Sequence, residues 1–184
     1  MTANKLTSNN ATQVVSVRRA ETIDKSDIIS GLTDVLMDCV EGGASVSFMQ
    51  TLSMDKAVAF WRRVADDVAR GARALVVATD ANGIMGTVQV VLEQPENQPH
   101  RADISKMLVH RRARRMGVGA ALMRGAEVAA RSASKTLLVL DTADATAERL
   151  YTRLGWTLVG VVPDFALLPQ GGLCATSFYY RKLN

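Results

Sequence analysis

Residues 109–122, which read VHRRARRMGVGAAL, combine the residue types that bind anions. Four arginines lie within residues 111–115, and Gly117 and Gly119 follow them. The stretch joins a predicted strand that ends at Val109 to a predicted helix that begins near Gly117. The first turn of such a helix has unpaired N–H groups. These groups and the helix dipole together attract a phosphate. Glycine allows a pyrophosphate to approach the backbone, and arginine adds charge-assisted contacts.

Several kinds of anion site fit this pattern until its context is considered. A Walker phosphate loop requires an ending of the type GK[ST], which residues 109–122 lack. A dinucleotide-binding fingerprint requires three glycines in the first strand–helix–strand unit, whereas this stretch lies in the middle of the chain. A solvated basic turn, or a patch that binds nucleic acid nonspecifically, explains the stretch alone equally well.

The composition indicates one globular domain without a membrane anchor. The chain has 184 residues, of which 48% are hydrophobic and 22% charged, and its net charge of +4 permits binding of a polyanion without requiring it. No apolar run reaches the roughly 18 residues of a membrane helix, and the polar N-terminus lacks the apolar segment of a signal peptide. We expect a flexible tail over residues 1–12 and a single domain over 13–184.

The cysteines and histidines predict no metal site. Cys39 and Cys174 lie far apart and outside any CxxC arrangement, and the chain has only two histidines. Free thiols together with eight methionines suit a reducing compartment, so we expect a cytoplasmic protein.

The order of hydrophobic periods predicts an α+β domain with a mixed sheet. Strand-like runs lie over 13–20, 73–80, 83–94 and 102–109. Between the first two runs come a helical segment that starts near residue 24 and stops at Gly42 and Gly43, and a second one over 53–71. Asn82-Gly83 is a hairpin signal, so the three middle runs form an antiparallel meander. The second half predicts helices over 117–133 and 144–155 and strands over 135–142, 156–162 and 176–183, the last two joined by a loop with proline and glycine.

Two motifs resemble those of the GNAT family of N-acetyltransferases. The family signature R/Q-x-x-G-x-G/A is present from Arg114 to Gly119, and a second signature, A-x-x-L-Y-x-x-x-G-[FW], spans residues 147–156. The resemblance covers roughly residues 73–183. It implies the GNAT fold, a mixed, mostly antiparallel central sheet flanked by helices and splayed at the cofactor. Arg111 and Arg115 depart from the family, which usually has proline and glycine at these positions.

The resemblance implies an N-acetyltransferase that takes acetyl-CoA as cosubstrate and transfers its acetyl group to the primary amine of a small molecule in a ternary complex. The first signature holds the pyrophosphate, and the N–H groups of residues 107–109 face the acetyl group and the pantetheine arm. The implied cofactor-binding residues are Met107, Leu108, Val109, Arg114, Arg115, Met116, Gly117, Val118, Gly119 and Ala120.

A narrower similarity concerns the acceptor. Residues 42–49 (GGASVSFM), 101–109 and 140–144 resemble the bacterial tabtoxin-resistance acetyltransferases, which acetylate an amino group of a β-lactam amino-acid toxin. This resemblance implies a small amine acceptor, bound between loops 42–53 and 162–175. The family likeness also implies a homodimer and neither a nucleic-acid nor a membrane partner.

Acetyl transfer requires a neutral amine, and therefore a base, while the departing thiolate gains from a proton donor. Tyr151, in the second signature, is the candidate acid, and a half-buried core tyrosine is the alternative. Asp103 and Asp141 are the candidate bases, because adjacent strands would bring them to one cleft. For Asp141 a helix cap, for Asp103 a solvent-facing position, and for both a contact with the substrate ammonium are the alternatives.

Two functions of other classes also fit the sequence. A basic nucleic-acid-binding module would use residues 111–115 and would bind with a steep dependence on salt. A non-catalytic acyl-CoA sensor would bind the cofactor without turning over any amine.

Overall fold

A seven-stranded sheet organises the chain, and its strands follow the alternating runs of the sequence. The computed structural model describes residues 16–20, 23 and 26–183, so the expected tail lies outside the described residues. The strands are β1 (Ser16–Ala20), β2 (Arg73–Asp80), β3 (Gly83–Val91), β4 (Arg101–Val109), β5 (Leu137–Thr142), β6 (Thr157–Leu167) and β7 (Leu173–Lys182). The helices are α1 (Ser26–Glu41), α2 (Met54–Ala69), α3 (Val118–Ser132) and α4 (Ala145–Arg153).

The strands lie in the order β1-β2-β3-β4-β5-β7-β6, and every neighbouring pair except β4–β5 is antiparallel. This topology confirms the predicted mixed, mostly antiparallel sheet. The predicted hairpin joins β2 to β3: Asn82 donates its backbone N–H to Asp80 Oδ1 at 2.9 Å, and Gly83 has φ 104°.

Helices cover both faces of the sheet, so the central strands are buried on both sides. Leu122 of α3 packs in the core on one face, and Trp61 of α2 packs in the core on the other. Successive residues of β2 alternate between the two cores: Val76 belongs to the first, Leu75 and Val77 to the second. Within the described residues, no helix has the length and hydrophobicity that crossing a membrane requires.

The pairing between β4 and β5 ends early, which opens the sheet in its middle. Three residues of each strand are paired, from Arg101 with Leu137 to Asp103 with Val139. β4 then continues to Val109 and β5 to Thr142 with a widening gap between them. We call this gap, between residues 104–109 and 140–142, the splay. It confirms the predicted divergence of the central strands.

A bulge lies on the other edge of β4, which stays paired with β3 along the splay. Ser105 faces Gln89 and Leu108 faces Thr87, so residues 106–107 together oppose Val88. The extra residue changes the direction in which the β4 side chains point just before the strand ends.

The loop predicted between the last two strands is mostly strand. β6 extends to Leu167 and β7 begins at Leu173, so the connecting turn comprises residues 168–172 rather than 162–175. The pairing shifts around Pro163, which the sequence pattern treats as a strand terminator. Proline is tolerated there because β6 is the edge strand, most of it exposed, and a missing N–H leaves no neighbouring carbonyl unpaired.

We predict that Gly86→Ala destabilises the junction of β3, β4 and α3. A Cβ at residue 86 would lie 2.8 Å from Leu108 O and 3.0 Å from Leu122 Cδ1. Overpacking of this kind costs about 1–3 kcal/mol, which thermal unfolding measures as a lower melting temperature. Gly160→Ala on β6 is the control, since a Cβ there would meet nothing within 4 Å. Equal melting temperatures of the two variants would contradict the close packing at Gly86.

Candidate active site

The turn between β4 and α3 presents an uncapped helix N-terminus. A 3₁₀ turn at Arg111–Ala113 follows β4, and α3 begins after Gly117, which has φ 78°. No side chain of the described residues caps α3, and a Cβ at Gly117 would meet nothing within 4 Å. The N–H groups of the first turn therefore face open space from which an anion can approach.

Two of the four arginines of residues 111–115 hold the turn in place. Arg111 donates its backbone N–H to Asp38 Oδ2 at 2.8 Å and its Nε–H to Asp38 Oδ1 at 2.7 Å. Arg112 donates two hydrogen bonds to Asp80, with N–O distances of 2.6 and 3.3 Å. Both arginines are paired with carboxylates of the protein itself. These ion pairs connect the turn to α1 through Asp38 and to the β2–β3 hairpin through Asp80.

The other two arginines, Arg114 and Arg115, are exposed beside the N-terminus of α3. Arg114 donates from Nε to Val109 O at 3.5 Å. In the described part of the chain, neither side chain has a carboxylate within ion-pair distance. They are the positive charges that the turn offers to an anion.

Asp38 anchors the turn electrostatically. Burial raises the pKa of the Asp38 carboxyl, but the hydrogen bonds from Arg111 and the charges of His110 and Arg111 outweigh burial and hold that pKa below its usual range. His110 Nε2 lies 3.6 Å from Asp38 Oδ1 and 3.6 Å from Asp34 Oδ2. His110 therefore supports the turn.

Gly119 packs against α4. A Cβ at residue 119 would lie 3.0 Å from Leu150 Cδ2 and 3.8 Å from Met107 Sδ. The missing side chain thus allows α3 to approach α4 across the splay. This contact gives Gly119 a packing role that the sequence did not indicate, whereas Gly117 has the open surroundings expected of a glycine that faces a ligand.

β4 presents free backbone donors to the splay. His110 donates its N–H to Met85 O of β3 at 3.0 Å, so the alternation along the strand turns the N–H groups of Val109 and Met107 away from β3. β5 has already diverged at this level. By the same alternation the backbone of Leu108 points toward β3, and its side chain is buried in the core with α1 and α2, so Met107 and Val109 are the better-placed donors.

Tyr151, on α4, is almost completely buried, with its ring centroid 5.9 Å from those of Trp156 and Tyr179. Burial, with the nearby charges of Asp144 and Asp141, raises the pKa of Tyr151 well above its ordinary value of 10.0. The phenol therefore stays neutral at physiological pH and acts as a hydrogen-bond donor. Because a thiol has a pKa near 8.5, such a phenol stabilises a developing thiolate by hydrogen bonding more readily than by complete proton transfer.

Asp141 is exposed at the end of β5, beside the splay. The helix cap that the sequence offered as its alternative role is supplied by Asp144, which accepts from the N–H groups of Thr146 at 2.6 Å and Ala147 at 2.9 Å. Within the described residues the Asp141 carboxylate accepts no hydrogen bond, and its charge acts on Tyr151. Asp141 is thus available to bind or deprotonate a ligand.

Asp103, the other candidate base, is engaged at the closed end of the splay. Its Oδ1 accepts from Arg101 Nη1 and its Oδ2 accepts from Gln94 Nε2 at 3.2 Å. Asp103 also pairs with Val139 at the last position where β4 and β5 are hydrogen-bonded. Because both oxygens hold neighbouring side chains, the geometry favours Asp141 over Asp103 as the base.

Lys106 is a charged group at the splay that the sequence analysis missed. It lies in the β4 bulge with φ 49°, and its Nζ donates to Ser47 Oγ at 3.1 Å. Burial lowers the pKa of Lys106, and the charge of Asp141 opposes this effect. A lysine in an alternating run predicts a solvent-facing side chain, and no sequence signal marks the bulge that turns it into the splay.

The segment 42–49 joins β4 to the β6–β7 turn. Besides the contact of Ser47 with Lys106, Ser45 Oγ donates to Leu167 O at 3.3 Å. The backbone N–H of Gln50, directly after the segment, donates to Pro169 O at 2.9 Å. The segment, which also joins α1 to α2, therefore closes one side of the splay.

Comparison with known proteins identifies both the domain and the fold. Residues 71–158 match the family model of the acetyltransferase (GNAT) domain. The whole fold is similar to that of an N-acetyltransferase from Staphylococcus aureus Mu50, with a TM-score of 0.76 at 15% sequence identity over 93% of this chain and 99% of that protein.

Two further similar structures contain acetyl-CoA. A putative acetyltransferase from Salmonella typhimurium, with its cofactor acetyl-CoA, has a TM-score of 0.75 at 19% identity over 93% of this chain and 95% of that protein. A phosphinothricin acetyltransferase from Sinorhizobium meliloti, in complex with acetyl-CoA, has a TM-score of 0.76 at 19% identity over 92% and 89%. At these identities the similarities establish the fold.

We predict that Asp38→Asn lowers the free energy of unfolding by about 1–3 kcal/mol at pH 7, because it weakens charge-assisted hydrogen bonds to Arg111. A carboxyl with a lowered folded-state pKa stabilises the protein above its unfolded pKa, near 3.9, and this stabilisation is lost as pH falls through the folded pKa. The melting temperatures of variant and wild type should therefore converge below about pH 4.

Glu41→Gln is the matched control for this prediction. Glu41 contacts the same guanidinium at 3.4 Å, but its side chain is 63% exposed. Its replacement should leave the melting temperature close to that of the wild type at every pH. A constant difference between Asp38→Asn and wild type from pH 7 to pH 3 would contradict the assignment.

Proposed function

Because residues 71–158 match the acetyltransferase (GNAT) domain and the whole chain has the fold of known acetyltransferases, we propose that it transfers the acetyl group of acetyl-CoA directly to the primary amine of a small molecule in a ternary complex. The observation that carries this proposal is the set of chemical groups that surround the splay. The uncapped N-terminus of α3, with two arginines that have no carboxylate partner among the described residues, follows the β4 side of it. A neutral buried phenol, Tyr151, and a carboxylate without a hydrogen bond, Asp141, lie on the β5 side.

The loop and first turn over residues 114–120 fit the pyrophosphate of acetyl-CoA. Gly117 leaves room for the phosphates, the N–H groups of the first turn of α3 bind their oxygens, and Arg114 and Arg115 balance their charge. The N–H groups of Met107 and Val109 are placed to bind the pantetheine arm and to stabilise the negative charge that develops on the thioester oxygen. Acetyl-CoA supplies the activated acyl group.

Asp141 and Tyr151 handle the protons in this proposal. An amine enters largely as an ammonium, so Asp141, directly or through a water, accepts its proton and leaves the neutral nucleophile. As the neutral nitrogen attacks the thioester carbon and the C–S bond breaks, Tyr151 donates a hydrogen bond to the sulfur. The nitrogen loses its second proton, which reaches the departing thiolate through water, so the products are the amide and CoA-SH. The protonated Asp141 returns its proton to solvent, to which the residue is exposed.

The acceptor side is formed by the segment 42–49 and the turn over residues 168–172. The resemblance to the tabtoxin-resistance acetyltransferases supports an amino-acid-like toxin or antibiotic as the acceptor class. We place its amine between Asp141 and the sulfur, because direct transfer requires the nucleophile at the thioester carbon.

The test combines binding and turnover. Acetyl-CoA at 100 times its Kd should stabilise the folded protein by about 2.7 kcal/mol, measured as a higher melting temperature. A panel of small amines and amino acids with thiol-release detection should identify at least one acceptor. Stabilisation without turnover of any amine would favour an acyl-CoA sensor. Binding of DNA or RNA alone, with a steep salt dependence, would favour a nucleic-acid module.

We predict that Tyr151→Phe lowers kcat by about 10²–10³ while the affinity for acetyl-CoA changes little, because the hydroxyl acts on charge that develops in the transition state. Steady-state kinetics and calorimetric titration with acetyl-CoA measure the two quantities. Tyr179→Phe is the control, since Tyr179 belongs to the same aromatic cluster and its hydroxyl lies beside Thr152 on α4. Wild-type kcat in Tyr151→Phe would leave that residue with a packing role only.

A further inference from the structure

The half-buried ammonium of Lys106 is in contact with no carboxylate of the described residues. Its hydrogen-bond acceptor is the neutral hydroxyl of Ser47, 3.1 Å away, and within the described residues no carboxylate lies within ion-pair distance of Nζ. Burial lowers the pKa of Lys106, and Arg73 adds repulsion, while Asp141 favours the charged form from beyond contact distance. A buried charge in this condition is stabilised by an incoming anion, and two of its three N–H donors are available.

The fold places this ammonium where an acceptor would lie. Lys106 is the bulged residue of β4, directly before Met107, whose backbone N–H faces the splay. Ser47 reaches it from the segment 42–49, which is fixed to the β6–β7 turn by Ser45 and Gln50. The ammonium therefore lies between the reacting end of the splay and the segment that closes the acceptor side.

A cation and an anion thus flank the same opening. Asp141, on β5, carries the negative charge, and Lys106, on β4, carries the positive charge. Asp103 and Val139 form the last pair of the two strands; Lys106 lies three residues beyond it on β4 and Asp141 two residues beyond it on β5, so the two groups flank the same opening. A ligand complementary to such a pair carries both an ammonium and a carboxylate.

We propose that Lys106 and Ser47 bind the carboxylate of the acceptor, and that the acceptor is an amino acid whose amino group lies toward Asp141. This inference rests on the acetyltransferase function proposed above. In the ternary complex the acceptor carboxylate pairs with Lys106, and the proton lost by the amine passes to Asp141. Lys106 is therefore a residue that determines specificity and does not take part in proton transfer.

The experiment compares amino acids with their carboxamides in wild type, Lys106→Met, Lys106→Arg and the control Lys182→Met, at an exposed lysine on β7. The amine of a carboxamide is less basic and so more often neutral, which biases the assay against the proposal. Wild type should prefer the amino acid. Lys106→Met should raise the KM for the amino acid by about 10- to 100-fold, with little change in kcat or in the KM for the carboxamide.

Calorimetric titration of the amino acid into enzyme saturated with CoA provides a readout independent of turnover. Affinity should fall in Lys106→Met by the same factor, return in part in Lys106→Arg, and stay unchanged in Lys182→Met. Melting curves and acetyl-CoA affinity establish that each variant is folded.

The remaining outcomes overturn the proposal. An equal loss of kcat on both acceptors in Lys106→Met, with a shifted pH profile, would make Lys106 the base. A wild-type enzyme that acetylates carboxamides as well as amino acids would refute the carboxylate subsite and leave the acetyltransferase function intact. Absence of turnover with every amine, despite stabilisation by acetyl-CoA, would refute the proposed function and the subsite together.

Discussion

The site depends on a hydrogen-bond ladder that stops early. β4 and β5 are paired over three residues and then diverge. Backbone groups that would otherwise be satisfied inside the sheet are left facing a gap, and unpaired backbone groups of this kind require a partner. α3 and α4 approach each other across the gap through Gly119 and Leu150, so packing replaces the missing strand contact. The sheet remains one unit while its middle stays open to a ligand.

Electrostatic pairing decides which charges are available at this opening. Arg111 and Arg112 resemble their neighbours in sequence, yet each is paired with a carboxylate from a distant element. Asp103 is engaged in the same way by Arg101. In the described part of the chain, Arg114, Lys106 and Asp141 have no ion-pair partner, and these three charges lie along the splay. The function of a charged residue here follows from its partners in the fold, and its type alone does not reveal it.

Much of the fold could be predicted because its signals are local. The Asn82-Gly83 hairpin and the change from a helical to a strand period after residue 71 each concern a few consecutive residues, and the structure confirms them. The site was predictable in part for the same reason, since both family motifs are continuous. Arg115 has φ 63°, so its departure from the usual glycine costs about 1–2 kcal/mol that the motif alone does not show.

The remaining features depend on pairings between distant residues. The ion pair of Asp38 with Arg111, the occupied oxygens of Asp103 and the bulge at Lys106 arise only when strands and helices are assembled. The extension of β6 past Pro163 depends on its edge position, which strand order alone determines. Hydrophobic periodicity shows which residues of a segment share one face of a helix or strand. It contains no information on which residue of another segment lies opposite them.

The interruption of β6 has a consequence for the solubility of the protein. β6 is an edge strand with exposed apolar side chains, among them Val159, 68% exposed, and Val161, 57% exposed. Such an edge is a template for intermolecular β-sheet growth. Pro163 removes one backbone donor, and Asp164, with φ 52°, adds a charge at a kink. A strand from another molecule would therefore lose its register at this point. The irregularity at Pro163, which made the sequence pattern predict a loop, thus protects the edge of β6 from aggregation.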